Sequence, residues 1–276
     1  EEVTTTETAP VLSTAESATP TLSASTISSD TLSGSDIYTL GCEQAVGITT
    51  EITTTNYFGM AVSGSVSGSG FIITEDGYIM TNYHVIEDAY EGGYDITVML
   101  NDDSEYTAEI IGFDEDNDIA VLKIDAEGLT PVTFGNSDSL SVGDTVYAIG
   151  IPLGELDYTM PSGIVSATDR VITTDESTSI NMFQFDAAVN SGNSGGPLYN
   201  SEGQVVGVVT AKYSDTGVEG LGFAIPINDA VDIANELIVN GYVTGKAYLG
   251  VEIDQNFTSI YAQYYNTPLG AYVHSV

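Results

Sequence analysis

Short apolar stretches, separated by Gly, Asn, Asp and Ser, recur roughly every ten residues between residues 37 and 226. Val, Ile, Thr, Tyr and Phe dominate these stretches, and a sustained helical period is almost absent. The pattern predicts an all-β fold, a sandwich or a barrel, and a split near residue 130 indicates two barrels of similar size. The predicted strands are Gln44–Ile52, Gly70–Thr74, Tyr78–Thr81, Ile96–Leu100, Thr107–Phe113 and Ile119–Ile124 in the first set, and Val132–Phe134, Thr145–Ile149, Gly163–Thr168, Met182–Phe185, Val205–Ala211 and Gly222–Ile225 in the second.

The two ends of the chain differ from this middle part. Residues 1–36 are rich in Ser and Thr without an apolar period, so we expect a disordered tether of the kind that holds an exported protein off a cell surface. Ile227–Val239 places its apolar residues on one face, with Asn228 as the expected N-cap and Gly241 just past the end, and is the one helix predicted. Residues 241–276 are expected to form a linker, strand and loop, too short to fold alone.

The charge of the chain excludes some partners. It has 40 acidic and 4 basic residues, a formal charge of −36, and no Lys or Arg precedes Lys123. Binding to nucleic acid or to an anionic membrane surface needs a basic face, which this chain lacks. The acidity suits either a surface adapted to high salt or a very soluble exported protein, and the sequence leaves both open.

Two further counts limit the possibilities. No apolar run is long enough to span a bilayer, and we expect any signal peptide or membrane anchor to lie outside this chain. Cys42 is the only cysteine, which excludes an internal disulfide and a Cys-based zinc site.

Three groups carry candidate chemistry. His84, one of two histidines, lies at the end of a predicted strand, and Ser194 lies in a Gly-rich loop that exposes a hydroxyl and leaves backbone N–H groups free. Asp118 ends an acidic turn that starts at Asp114. A serine nucleophile needs an imidazole to take its proton, and the imidazole needs a carboxylate to orient it. The order His, Asp, Ser, with the first two in one barrel and the third in the next, predicts a site in the cleft between the barrels.

The acidic turn has a second interpretation as a calcium loop. It lacks the glycine expected at the sixth position, and the twelfth position from Asp114 is Asp125 instead of Glu. A solvated turn with one buried carboxylate, Asp118, is therefore the favoured interpretation, and no metal is expected.

The sequence resembles an HtrA/Deg-type serine protease of the trypsin-like two-barrel superfamily over residues 37–276. Five motifs carry the resemblance in order: Gly68–Ile73, Gly77–Val85, Asp118–Ile124, Gly192–Leu198 and Leu221–Pro226. The resemblance implies two antiparallel six-stranded β-barrels, over residues 37–130 and 131–226, within a protease domain that ends near residue 240.

The resemblance also implies roles. His84 is expected as general base and acid, Asp118 as its orienting group and Ser194 as nucleophile, with the backbone of Gly192, Asn193 and Ser194 as oxyanion hole. The family cleaves unfolded or damaged proteins on the exported side of a membrane, usually as a trimer or larger assembly and without a cofactor.

The specificity pocket and the C-terminus are less clearly marked. The pocket is expected to involve Ser191, Ala211, Lys212 and Tyr213; Ser191 replaces a proline of many relatives, and Lys212 either lines the pocket or extends to solvent. Tyr248–Val251 and Gly270–Val273 resemble the carboxylate-binding loop and the peptide-pairing strand of a PDZ domain, of which residues 241–276 supply only the beginning.

Other functions remain as alternatives. Gly192-Asn193-Ser194-Gly195-Gly196 also fits the nucleophile elbow of an esterase, but that fold needs its histidine after the serine, and only His274 follows. A latent or non-catalytic chaperone on the same scaffold and a structural surface protein are the other two. The serine endopeptidase is the favoured function.

Overall fold

The computed structural model describes residues 31–55, 61–151, 158–173, 179–211, 221–246, 252–253 and 273–275. The chain divides into two compact units, Glu1–Val243 and Thr244–Val276. Within the described residues, no helix is long and apolar enough to cross a membrane.

The first barrel closes from six antiparallel strands in the order β1-β2-β3-β6-β5-β4, with β4 pairing back to β1. Its interior is filled by alternate residues of these strands, such as Val46, Ile79 and Leu122, all fully buried. The strands are β1 (Ala45–Thr55), β2 (Ala61–Ile72), β3 (Tyr78–Thr81), β4 (Ile96–Met99), β5 (Glu105–Asp114) and β6 (Ile119–Lys123).

The second barrel repeats the same order, β10-β11-β12-β9-β8-β7, and closes through the pairing of β10 with β7. Fully buried Val146, Phe185 and Leu198 lie in its core. The strands are β7 (Thr145–Ala148), β8 (Ser162–Thr173), β9 (Ser179–Phe185), β10 (Pro197–Tyr199), β11 (Val205–Thr210) and β12 (Gly222–Pro226). The predicted pair of antiparallel six-stranded barrels is therefore confirmed.

The structure has three helices in its described residues where the sequence predicted one: α1 (Gly34–Gln44), α2 (Tyr83–Gly92) and α3 (Ile227–Asn240). α3 confirms the predicted C-terminal helix and packs, with residues of both barrels, into one buried cluster. Its predicted cap is wrong, because the helix starts directly after β12 with Pro226 as N-cap. The Asn228 side chain instead accepts a hydrogen bond from Ser137 N–H (3.3 Å).

The other two helices were not predicted. α1 begins inside the segment predicted as tether, where Ser33 and Asp36 form a capping box. Just before it, Leu32 N–H donates to Ser201 O (2.8 Å). α2 ends at Gly93, whose left-handed φ of 66° closes the helix.

Two strand predictions also differ from the structure. Val132–Phe134 is not a strand, since Pro131 and Gly135 flank it and only an isolated bridge joins Phe134 to Val205. β10 was missed because it is only three residues long and starts with proline.

The second unit contributes one antiparallel pair, β13 (Glu252–Ile253) and β14 (Val273–Ser275). Four earlier predictions fall wholly or partly outside the described residues: the tether up to residue 30, the pocket residues Lys212 and Tyr213, the PDZ-like segment Tyr248–Val251, and the PDZ-like segment Gly270–Val273 except Val273.

Candidate active site

His84 lies in the first turn of α2, directly after the buried strand β3. Its side chain is 16% exposed, so the ring is partly accessible to solvent. Tyr83 beside it stacks on Phe113 of β5, with 4.7 Å between the ring centroids, which fixes the start of the helix against the barrel. The sequence predicted His84 at a strand end, and the structure adds the helix that carries it.

The Tyr83 hydroxyl is held neutral by its surroundings. Burial raises its pKa to about 12, and the negative charges of Glu115, Glu87 and Glu91 act in the same direction. This tyrosine is therefore a packing group beside His84 and not a source of protons near neutral pH.

Asp118 lies in the turn before β6 and is 2% exposed. Its carboxylate faces the His84 ring, with Nδ1 2.8 Å from Oδ2 and 3.0 Å from Oδ1. The backbone N–H of His84 also donates to Asp118 Oδ1 (2.9 Å). A carboxylate on Nδ1 favours the tautomer with its proton there, which leaves Nε2 free to accept a proton from a nucleophile.

Two further side chains hold Asp118. Thr210 Oγ1 of β11 lies 3.5 Å from Oδ2, and Asn82 Nδ2 donates to the Asp118 carbonyl (2.8 Å). Asp118 has a left-handed φ of 54°, a conformation that aspartate adopts only occasionally. Asn82 stands at the N-cap position of α2 but makes no capping hydrogen bond with its side chain, so its amide holds Asp118 instead.

The acidic run before Asp118 folds as a turn. Asp114 accepts hydrogen bonds from Asp116 N–H (3.1 Å) and from the Asn117 side chain (2.8 Å). Within the part of the chain that the structure describes, no cluster of three or more His, Cys, Asp or Glu side chains is placed to hold a metal ion.

Ser194 follows a single 3₁₀ turn, Ser191–Asn193, and is 3% exposed. Gly195 after it has a φ of 81°, and a Cβ there would clash with Thr81 Oγ1 and Ser69 O. Only glycine fits this position, and its absence of a side chain brings the Ser194 loop against the first barrel.

The hydroxyl of Ser194 is bonded to the second barrel. Ala211 N–H, at the end of β11, donates to Ser194 Oγ (3.0 Å). Among the hydrogen bonds of the described residues, none joins Ser194 Oγ to the His84 ring. Of the predicted pocket residues that lie in the described part, Ala211 therefore contacts Ser194, and Ser191 belongs to the turn before it.

The predicted oxyanion residues form a closed turn. Asn193 N–H donates to Asn190 O (2.8 Å), and the Gly192 carbonyl accepts from Ser69 Oγ (2.7 Å). In this loop the positive φ belongs to Gly195 and not to Gly192. The hydrogen bond of the turn uses Asn193 N–H, and no hydrogen bond among the described residues uses the N–H groups of Gly192 and Ser194.

Three supporting residues were not singled out from the sequence. The side chains of Ser69 and Asn82 donate hydrogen bonds to backbone carbonyls, and that of Thr210 donates to a carboxylate, in each case to a residue far away in the chain. The signals available were weak: Ser69 stands between two glycines, and Asn82 lies two residues before His84.

The fold agrees with comparisons to known proteins. The family model described as trypsin-like peptidase domain matches residues 68–208. A probable periplasmic serine endoprotease DegP-like of Halomonas elongata is 49% identical over 187 residues, 67% of this chain and 38% of the relative. A serine protease Do-like HtrA of Bacillus subtilis is 46% identical over 197 residues, 68% of this chain and 43% of the relative.

A similar solved structure, an HtrA-type protease AlgW with a decapeptide, superposes with a TM-score of 0.68 at 31% identity. The match covers 88% of this chain and 78% of that one. The chain spans about two fifths of the length of the two curated relatives above.

Proposed function

The chain belongs to the trypsin-like peptidases of the HtrA type, and from this we propose that it is a serine endopeptidase that cleaves unfolded or misfolded exported proteins. The observation that supports the proposal is the buried Asp118 carboxylate on His84 Nδ1, which Thr210 also contacts, while Ala211, the residue next to Thr210, is bonded to the Ser194 hydroxyl. Thr210 of the second barrel reaches the same carboxylate, so both barrels contribute to one site.

In the proposed reaction His84 Nε2 removes the proton of Ser194 Oγ as this oxygen attacks the scissile carbonyl. Asp118 keeps the ring oriented and stabilises its charged form. The bond to the leaving amine breaks as His84 returns the proton, which leaves an acyl-enzyme on Ser194. Water then hydrolyses the acyl-enzyme by the same steps in reverse. This route needs no metal or organic cofactor.

Two adjustments precede attack. The Ser194 hydroxyl turns about its Cα–Cβ bond from Ala211 N–H towards His84, a change between staggered rotamers. The Ser191–Gly192 peptide rotates about the φ of Gly192 so that the Gly192 N–H, together with that of Ser194, faces the developing oxyanion, while the Gly192–Asn193 peptide keeps its position. Gly192 has no side chain to oppose the change of φ that this rotation requires.

The relatives support proposals about substrates and location. A decapeptide is bound to the solved HtrA-type neighbour, and peptide segments of unfolded proteins are the proposed substrates. Curated relatives are named periplasmic endoproteases, which supports an extracytoplasmic location. We propose that the protein forms a homo-oligomer, and a trimer if it resembles its family in this respect. We also propose that the specificity pocket involves Ser191, Ala211, Lys212 and Tyr213.

One observation favours a second candidate, a latent form that binds unfolded chains without cleaving them. In this structure Ser194 is bonded to Ala211 and not to His84, and the oxyanion turn is closed. The relatives are named endoproteases, so the latent form is proposed as the resting state of a protease and not as its whole function.

The test compares hydrolysis of fluorescein-labelled casein by the wild type, Ser194→Ala and Ser201→Ala. Ser201 is a serine of a surface turn whose hydrogen bond to Leu32 uses its backbone carbonyl, so its replacement is a matched control. We expect wild-type rates from Ser201→Ala and a loss of at least about a thousandfold from Ser194→Ala. Equal rates from both variants would refute the proposed nucleophile.

A further inference from the structure

Ser69 is a fully buried serine of the first barrel that takes no direct part in the proposed reaction. Its N–H donates to Ser194 O (2.8 Å), and its Oγ donates to Gly192 O (2.7 Å). The same Oγ accepts a hydrogen bond from Ile151 N–H (3.0 Å) in the segment after β7. Thr81 Oγ1 donates to the Ser69 carbonyl (2.7 Å) within the first barrel. Ser69 of β2 is thus bonded to two backbone carbonyls of the Ser194 loop, those of Gly192 and Ser194.

The direction of the Ser69 hydroxyl is determined by its partners. A serine hydroxyl has one proton to donate, and the Ile151 N–H can act only as a donor. The proton of Ser69 Oγ is therefore directed at the Gly192 carbonyl. Since the group is buried, this hydrogen bond has little competition from water.

The Gly192 carbonyl belongs to the Gly192–Asn193 peptide, whose other polar group, Asn193 N–H, donates to Asn190 O. Both ends of this peptide are consequently bonded. This peptide lies between the Ser191–Gly192 and Asn193–Ser194 peptides, which carry the two N–H groups proposed to bind the oxyanion. Its orientation sets where these two groups can point.

The surroundings of Ser69 are shaped for close contact with the Ser194 loop. A Cβ on Gly150 would lie 2.9 Å from Ser69 Oγ, and one on Gly196 would lie 3.3 Å from Ser69 Cβ. Asn193 Oδ1 is buried beside Gly150 without a hydrogen-bond partner, and as an acceptor it cannot replace the proton that Ser69 donates to the Gly192 carbonyl. Loss of the Ser69 hydroxyl would leave the Gly192 carbonyl and the Ile151 N–H unpaired as well, and the turn would have to rearrange.

We propose that Ser69 is a positioning residue for the oxyanion turn: its hydroxyl fixes the Gly192–Asn193 peptide and thereby the alignment of the Gly192 and Ser194 N–H groups. The inference rests on the proposed function, since it concerns the rate of attack by Ser194. It goes beyond the triad, because Ser69 touches neither His84 nor Asp118 through any hydrogen bond among the described residues.

The test compares Ser69→Ala with Tyr199→Phe. Both variants remove a fully buried hydroxyl that makes a side-chain hydrogen bond, but the Tyr199 hydroxyl donates to Gln44 (3.0 Å), away from the Ser194 loop. The readouts are kcat and KM on labelled casein, the second-order rate of inactivation by a fluorophosphonate, and the melting temperature. Ser69→Cys, which retains a weak donor of similar shape, is the second variant.

We expect Ser69→Ala to lower kcat and the inactivation rate about 10- to 100-fold with KM within about twofold, because the alignment of the oxyanion donors matters only as the tetrahedral centre forms. Ser69→Cys should lie between this variant and the wild type, and Tyr199→Phe should stay within about twofold of the wild type. A folded Ser69→Ala or Ser69→Cys with wild-type kcat would overturn the inference. Activity that persists in Ser194→Ala would instead overturn the proposed function.

Discussion

The interaction between Asn82 and Asp118 gives the sharpest prediction about the triad. Asn82 is fully buried, its Nδ2 donates to the Asp118 carbonyl (2.8 Å), and its Oδ1 has no partner. Asn82→Ala removes a hydrogen bond whose loss costs about 1–3 kcal/mol when the acceptor stays buried. The same substitution removes an unpaired Oδ1, which returns an amount of similar size. We therefore expect the free energy of unfolding to change by less than about 2 kcal/mol.

The effect on catalysis is expected to be larger. Asp118 has a left-handed φ, which aspartate adopts only occasionally, and the hydrogen bond from Asn82 holds its carbonyl in that conformation. Without that bond the turn relaxes and the carboxylate moves relative to His84 Nδ1. A displacement of about 1 Å lowers rates about a hundredfold, so we expect Asn82→Ala to reduce kcat by about 10- to 100-fold.

Asn82→Asp keeps the shape of the side chain but removes its hydrogen-bond donor. A carboxylate has no proton to offer the Asp118 carbonyl and adds a second buried negative charge beside Asp118. We expect this variant to be less stable than Asn82→Ala by about 3 kcal/mol, since an uncompensated buried charge costs about 3–5 kcal/mol.

Gln44→Ala is the matched control for Asn82. The Gln44 amide also donates from a buried position to a backbone carbonyl, that of Pro131 (2.8 Å), but away from the site. Urea unfolding and casein hydrolysis should show Gln44→Ala less stable with wild-type kcat, and Asn82→Ala nearly as stable as wild type with reduced kcat. Wild-type kcat in Asn82→Ala, or equal stability of the Ala and Asp variants, would refute this reasoning.

Two further predictions concern stability. Burial, and after it the charges of Asp138 and Asp232, raise the pKa of Asp229 in the folded protein. The folded state therefore binds this proton more tightly than the unfolded state does, and the protein becomes less stable as pH rises through that pKa and the carboxyl ionises. Asp229→Asn should raise the melting temperature at pH 7 and not at pH 3, and an equal rise at both would contradict the assignment. The formal charge of −36 makes the folded protein repel itself. Raising NaCl from 0.1 M to 1 M shortens the screening length from about 10 to about 3 Å, so the melting temperature should be higher in 1 M NaCl because this repulsion is screened. A melting temperature that does not change with salt would contradict it.

The barrels were predictable because each strand buries alternate side chains. In Tyr78–Thr81 the predicted and observed strands coincide. α1 and α2 were not predictable by the same means. α2 contains β-branched Val85 and Ile86, which suit strands equally well, and its stability comes from packing on the barrel. α1 starts within a Ser/Thr-rich segment, where only the capping box marks its beginning.

The candidate site divides in the same way. His84, Asp118 and Ser194 were predicted together because their chemistry requires one another, and in the structure Asp118 contacts both His84 and Thr210. Ser69 and Asn82 bind carbonyls 123 and 36 residues away, and any residue offers a carbonyl. Such contacts therefore leave no signal in the sequence at the residue whose carbonyl accepts the hydrogen bond. The resting hydrogen bond of Ser194 to Ala211 N–H is likewise a property of the folded loop and not of the motif.

The central claim is that Ser194 is a nucleophile activated by His84. The most direct measurement is intact-mass analysis after fluorophosphonate treatment of the wild type, Ser194→Ala and His84→Ala. The account predicts one adduct on the wild type, none on Ser194→Ala, and labelling of His84→Ala slowed by at least about a hundredfold. A folded wild type that takes up no adduct, or an equal adduct on Ser194→Ala, would contradict it.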